Sequence, residues 1–127
     1  MRRMRVLLAV GLALGLTTAL VVGTGSASAT RSVTAKPVAI TVSAYEFYFT
    51  LSKSSIPKTG TVAFTVINKG TIVHDFSIPS LHKTTKMLQP HQKQVLTVTF
   101  TKKGSFYYEC LVPRHAQEGM AGSFTVK

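Results

Sequence analysis

From Val38 to the end of the chain, apolar and polar residues alternate with a period of two, and no stretch repeats with the 3.6-residue period of an amphipathic helix. Successive side chains of a strand point to opposite faces, so this alternation predicts an all-β domain. Val38, Ile40 and Val42 share one face of a first strand, and Tyr45, Phe47, Phe49 and Leu51 share one face of the next segment, with Glu46, Tyr48 and Thr50 opposite. Ser54, Ser55, Pro57, Lys58 and Gly60 then interrupt the pattern. Val62, Phe64 and Val66 face inward on a third strand that stops at the turn signal Asn68-Lys69-Gly70, and Ile72, His74, Phe76 and Ile78 form the next inward face.

Pro79 to Pro90 shows no clear period and is expected to be a long surface connection of the kind a Greek key requires. Leu96, Val98 and Phe100 line the core side of a further strand, and Lys102-Lys103-Gly104 turns the chain back into Phe106, Tyr108 and Cys110. Phe124 and Val126 face inward on the last strand. Roughly seven to eight short strands with closely spaced turns predict a two-sheet Greek-key β-sandwich, over residues 38–127 and after a lead of residues 30–37.

The first 29 residues read differently. Arg2, Arg3 and Arg5 precede an apolar run from Val6 to Val22, and Ala27-x-Ala29 follows without an acidic residue, which is the layout of a signal peptide ending before Thr30. The run is longer than the usual apolar core of about 7 to 15 residues and approaches the about 20 needed to cross a bilayer, so a retained anchor is the alternative. The expected location is periplasmic, extracytoplasmic or secreted, and membrane-anchored if the leader stays.

The chain carries 15 Lys and Arg against 4 Asp and Glu, a net charge of +11, and removing the three leader arginines leaves 12 against 4, or +8. This excess predicts an acidic partner or association with an anionic membrane surface. Nucleic acid is excluded as a partner, because the cations are scattered, form no run longer than Lys102-Lys103, and belong to an exported chain. Cys110 is the only cysteine, which excludes an intramolecular disulfide, an all-cysteine zinc site and a dinuclear copper centre bridged by two thiolates. The domain is expected to act as a monomer.

The chemistry concentrates in Tyr108-Glu109-Cys110-Leu111-Val112-Pro113-Arg114-His115-Ala116-Gln117-Glu118-Gly119-Met120. Cys110, His115 and Met120 stand five residues apart, a spacing that scatters them around a helix and alternates them across a strand. They converge only on a curled loop, for which Pro113, Gly119 and Gly122 are the candidate bends. Cys110 alone reads as a buried inert thiol and Met120 alone as core filler. Together, a thiolate, an imidazole and a thioether form a soft donor set suited to copper. His74 is the candidate second imidazole, since it interrupts an apolar inward face where an unpaired ring nitrogen is costly. His82 and His91, in the Lys-rich connection, read as surface residues.

Taken together, Glu46-Phe47-Tyr48-Phe49, Asn68-Lys69-Gly70 ahead of His74-Asp75-Phe76, Gly104-Ser105-Phe106-Tyr107-Tyr108-x-Cys110 and Cys110-x4-His115-x4-Met120 resemble the cupredoxins, the small copper proteins that include plastocyanin and azurin. The resemblance implies one type 1 (blue) copper ion held by His74, Cys110, His115 and Met120, cycling between Cu(I) and Cu(II) to carry single electrons to a redox partner protein. It also implies that the edge of His115 reaches the surface in an apolar patch of Pro113, Ala116 and Met120. Many members have Asn after the first histidine ligand; here Asp75 stands there. Its N–H is expected to donate to the Cys110 sulfur while its carboxylate braces the ligand loop. Phe76, Tyr108 and Pro113 are the other expected surroundings of the metal, Phe76 and Tyr108 serving equally as packing.

Two further functions compete with the carrier. A copper chaperone or storage module would bind and deliver the metal without redox turnover. An oxidase or nitrite reductase would need a histidine beside the cysteine, and Glu109 and Leu111 flank Cys110 instead, so no enzymatic activity is expected.

Overall fold

A computed structural model describes residues 35–127; the leader and residues 30–34 of the lead lie outside the described residues. The strands are β1 (Val38–Tyr45), β2 (Tyr48–Leu51), β3 (Ser55–Ile56), β4 (Gly60–Asn68), β5 (Ser77–Ile78), β6 (Lys83–Thr84), β7 (Lys93–Phe100), β8 (Gly104–Glu109) and β9 (Ala121–Val126), with one turn of 3-10 helix at Pro79–Leu81. They form a sheet of order β2-β1-β4-β7 and a second of order β3-β9-β8-β5-β6. Parallel pairing of β1 with β4 and of β3 with β9 marks the crossovers between otherwise antiparallel neighbours. Among the described residues no helix is long and apolar enough to cross a membrane.

The longest strands, β1, β4 and β7, are rich in Val, Ile, Thr and Phe, residues that fit a pleated, half-buried surface. Their inward positions Ile40, Val42, Val62, Phe64, Val66, Val98 and Phe100 meet Phe124 and Val126 of β9 and Ile78 of β5 from the other sheet, and Phe76 just before β5, in one core. Phe64 sits at its centre, with ring centroids 5.3 Å from Phe124, 5.6 Å from Phe76 and 6.3 Å from Phe100. Edge-on and tilted packing of this kind suits the quadrupoles of the rings.

Three expectations need correction. The alternation from Tyr45 to Leu51 does not lie on one strand: β1 ends at Tyr45, Glu46 and Phe47 form a turn, and Tyr48 pairs back onto Tyr45 with the rings stacked at 4.9 Å. Ile72 is exposed, because residues 70–76 form no regular strand that would carry the alternation inward. The connection from Pro79 to Pro90 is not purely surface, since it contributes buried Thr85 and Leu88 as well as β6.

Both sheets present the same two ends. At one, Tyr45, Asn68 and Glu109 finish their strands and Ala44 packs against Cys110 and Met120. At the other, Val38 starts β1, Gly60 faces Phe100, Gly104 faces Val126, and Val38, Ile56 and Gly60 surround one shallow depression.

Candidate metal centre

Cys110 directly follows β8 and Met120 directly precedes β9, so the antiparallel pair fixes both ends of the loop between them. The loop closes on its own backbone. Cys110 N–H donates to Met120 O (3.0 Å), Met120 N–H to His115 O (3.0 Å), His115 N–H to Val112 O (3.1 Å) and Gly119 N–H to Ala116 O (3.1 Å). The left-handed positions that curl it are Arg114 (φ +73°) and Gly119 (φ +112°). Gly122 serves another purpose. It lies in β9 opposite Tyr108, and a Cβ there would run into the Tyr108 ring.

His74 comes from a separate segment that Leu88 grips on both sides: His74 N–H donates to Leu88 O (3.1 Å) and Leu88 N–H to His74 O (2.8 Å). Asn68, fully buried, ties the approach to it. Its amide donates to Ile72 O (2.8 Å) and Leu88 O (2.8 Å), and its carbonyl oxygen accepts from Gly70 N–H (2.8 Å).

The Glu46 carboxylate accepts from the N–H groups of Thr71 (2.6 Å) and Ile72 (3.1 Å) and stands 3.2 Å from His74 Nε2. Gly70 leaves room for it, since a Cβ at that position would collide with the carboxylate. Desolvation pushes the Glu46 pKa up, but the hydrogen bonds from Ile72, Thr71 and His74 outweigh it and bring the pKa from 4.5 down to about 2. Glu46 is therefore ionised at neutral pH. It accepts the Nε2 proton and leaves the His74 lone pair on Nδ1, the partner pattern common behind metal-bound imidazoles. Its stabilising contribution is complete above the ordinary carboxylate value of 4.5 and is lost as pH falls from there through about 2.

With His74 so turned, three donor atoms converge. His74 Nδ1 and His115 Nδ1 lie 3.2 Å apart, Cys110 Sγ lies 3.5 Å from His115 Nδ1, and all three fall within 4.8 Å of one another. Nitrogen and sulfur ligands at about 2.0 and 2.3 Å from a shared ion stand roughly 3.5 Å apart in a trigonal plane, so the spacing fits one metal ion. His74 is 0% exposed, Cys110 1% and His115 7%. Burial pushes the Cys110 thiol pKa up, partly offset by the N–H groups of Asp75 and Val112. Burial and the neighbouring His74 push His115 down, which keeps that imidazole neutral and able to ligate. Metal uptake must then displace a proton from Cys110.

Met120 is fully buried in a small cluster with Cys110 and Ala44, against Phe47, Phe49 and Val112. Phe47, at the β1–β2 turn, lays its ring edge to face with His115 at 4.9 Å and excludes water from that side. Asp75 joins the two halves of the site: its N–H lies 3.5 Å from Cys110 Sγ, and its carboxylate accepts from Leu111 N–H at 2.6 Å. Phe76 and Tyr108 lie in the main core, their centroids 5.2 Å apart, and Pro113 is exposed on the loop. His82 and His91 are exposed and stand outside the cluster of donors.

The family model of the cupredoxin-like domain matches residues 13–126. The chain belongs to the cupredoxin-like family. No curated protein sequence matches it. Among solved structures, this cupredoxin is similar to the dithionite-reduced auracyanin of the photosynthetic bacterium Roseiflexus castenholzii (19% identity, 72% of this chain and 98% of that one, TM-score 0.59). It is likewise similar to auracyanin A, a "blue" copper protein of Chloroflexus aurantiacus (15% identity, 72% and 100%, TM-score 0.55). The periplasmic domain of cytochrome oxidase subunit II from Bradyrhizobium japonicum also shares the fold (13% identity, 71% and 83%, TM-score 0.59). The family and the donor set agree on copper as the cofactor of this cupredoxin.

Glu46, Asn68 and Leu88 escaped the sequence reading. Glu46 sits where alternation implies an outward strand residue, and Leu88 lies in a polar stretch. Asn68 was visible only as part of a turn, although an Asn that ends an apolar strand is a frequent local hydrogen-bonder. Removing the Glu46 carboxylate should free His74 to rotate. Glu46→Ala is expected to weaken Cu(II) binding by about 10- to 100-fold, with Glu46→Gln intermediate, as read by competition with a coloured chelator.

Proposed function

We propose that this cupredoxin is an exported electron carrier in which His74, Cys110, His115 and Met120 would hold one copper ion. The observation that carries the reading is the convergence of the two Nδ1 atoms and Cys110 Sγ, 3.2 and 3.5 Å apart, in a buried pocket. When bound there, copper supplies a single-electron couple between Cu(I) and Cu(II). The chain's part is to keep the donors still. Glu46 holds His74, the loop hydrogen bonds hold His115 and Met120, and Asp75 holds Cys110, so little moves when the charge changes. Asp75→Ala is expected to shift the reduction potential or loosen copper binding. A variant unchanged in both would remove Asp75 from this role.

Electrons pass at His115, the more exposed of the two imidazoles. Leu111, 49% exposed, and exposed Pro113 form an apolar rim with the partly buried Val112 and Ala116. Met120, expected in that patch from the family resemblance, is fully buried and packs against Cys110 and Ala44 instead. A redox partner docks on this rim.

All four acidic side chains of the chain stand at this end: Glu46 beside His74, Asp75 beneath Cys110, Glu109 next to it and Glu118 on the loop. Lys69, Lys93 and Arg114 are nearby. Charge there nearly balances, so apolar contact guides docking, and an acidic docking surface, expected from the overall +8, is not required.

Measuring the electron self-exchange rate beside the rate of copper transfer to a chelator tests the carrier reading. Rapid self-exchange with slow metal loss is expected. Ready metal loss with slow self-exchange would favour a copper chaperone or storage protein.

A further inference from the structure

The positive charge gathers at the end of the sandwich opposite the metal. Lys36 precedes β1, Lys58 lies in the β3–β4 loop, Lys102 and Lys103 form the β7–β8 turn, and Lys127 follows β9, its N–H donating to Ile56 O (3.0 Å). All five are exposed, no Asp or Glu side chain lies at this end, and none of the five joins an ion pair among the described residues. Two depressions open between them, one containing Val38 and Pro57 beside Lys36 and Lys58, the other containing Leu81 and Phe106 beside Lys102.

We propose that this pole docks on an anionic lipid bilayer and holds the domain with its metal end facing away from the membrane. Three observations select lipid over an acidic protein. Every cation at this pole among the described residues is lysine, a mobile point charge suited to a diffuse anionic surface, whereas protein interfaces favour arginine and are depleted in lysine. The lysines come from separate loops and chain segments, and Lys36, Lys58 and Lys102 line the apolar depressions, so their stems can lie on the headgroup region while the ammonium groups meet phosphate. The chain enters the domain here, through Lys36 and Val38, so whatever precedes Ala35 attaches at the lipid-facing pole. A basic patch is the usual second signal beside a single hydrophobic anchor, and a weak, salt-sensitive one by itself. Only the meaning of the outward-facing end rests on the copper reading; the lipid footprint is independent of it.

The test is amine-acylation footprinting of the protein as the producing cell leaves it, both copper-loaded and copper-free, read by mass spectrometry. The probes are vesicles of one part phosphatidylglycerol to three of phosphatidylcholine, vesicles of phosphatidylcholine alone, and poly-L-glutamate. Anionic vesicles should slow labelling of Lys58, Lys102 and Lys103 several-fold while Lys69 and Lys93 label as in solution. Neutral vesicles should give no such protection, and high salt should remove it. At about fivefold per lysine, the triple variant Lys58→Glu, Lys102→Glu, Lys103→Glu should lower partitioning onto anionic vesicles by more than about a hundredfold, without changing the visible spectrum of the copper-loaded protein. Protection of Lys69 and Lys93 instead, equal protection by neutral vesicles, or protection by poly-L-glutamate with none by vesicles overturns the proposal. A colourless protein that still shows the lysine footprint would overturn the copper reading and leave this one standing.

Discussion

Cys110→Ser is expected to remove the intense visible absorption of the Cu(II)-loaded protein while leaving the sandwich folded. The serine hydroxyl is smaller than the thiol and can still accept from Asp75 N–H, so the small cluster of Ala44, Cys110 and Met120 stays filled. What disappears is the thiolate, the strongest soft donor in the set and the source of the charge-transfer band. The loss of copper affinity should exceed the about 10- to 100-fold that follows removal of an outer partner such as Glu46. Absorption and chelator competition on matched samples measure both effects. A variant as strongly coloured as the parent would take Cys110 out of the site.

Asn68→Ala is expected to produce a large loss of stability for a single polar side chain. Three hydrogen bonds disappear together, to Ile72 O, Leu88 O and Gly70 N–H. At about 1 kcal/mol net each, more where a buried backbone group is left unpaired, the loss is roughly 3 kcal/mol out of a total of roughly 5–15. The same bonds place the segments that grip His74, so copper uptake should weaken along with the denaturation midpoint. Denaturant titrations of the copper-free and copper-loaded forms measure the two. If Asn68→Ala lowers the midpoint of the copper-free form by less than a surface substitution such as Lys93→Ala, the knot around His74 is not holding the loop.

Much of the sandwich was legible because alternation is a direct consequence of strand geometry. Val62, Phe64 and Val66, and again Leu96, Val98 and Phe100, fall on the inward face as their period requires. The loop was legible for a different reason. Its donors stand close in sequence, and their chemistry is distinctive even before their geometry is known. Alternation misled where the backbone turned without a Gly or Pro to announce it. Glu46 and Phe47 look like strand residues, yet they form the turn that delivers a carboxylate to His74 and an aromatic lid to His115.

Long-range partners were beyond the pattern altogether. Leu88 reaches His74 by a pair of backbone hydrogen bonds that leave no side-chain signature. Net charge was equally blind to position: a total of +8 conceals an end with all four carboxylates and an opposite end where, among the described residues, the charged side chains are all lysines. Topology, which sends β1, β4 and β8 toward the metal and their preceding turns away from it, separates the two.

Copper K-edge X-ray absorption on the Cu(II)-loaded wild-type protein tests the central claim most directly. A first coordination sphere of one short sulfur and two imidazole nitrogens per copper, retained on reduction with little change in distance, is the result expected from donors held this firmly. A sphere of nitrogen and oxygen scatterers without sulfur would contradict it.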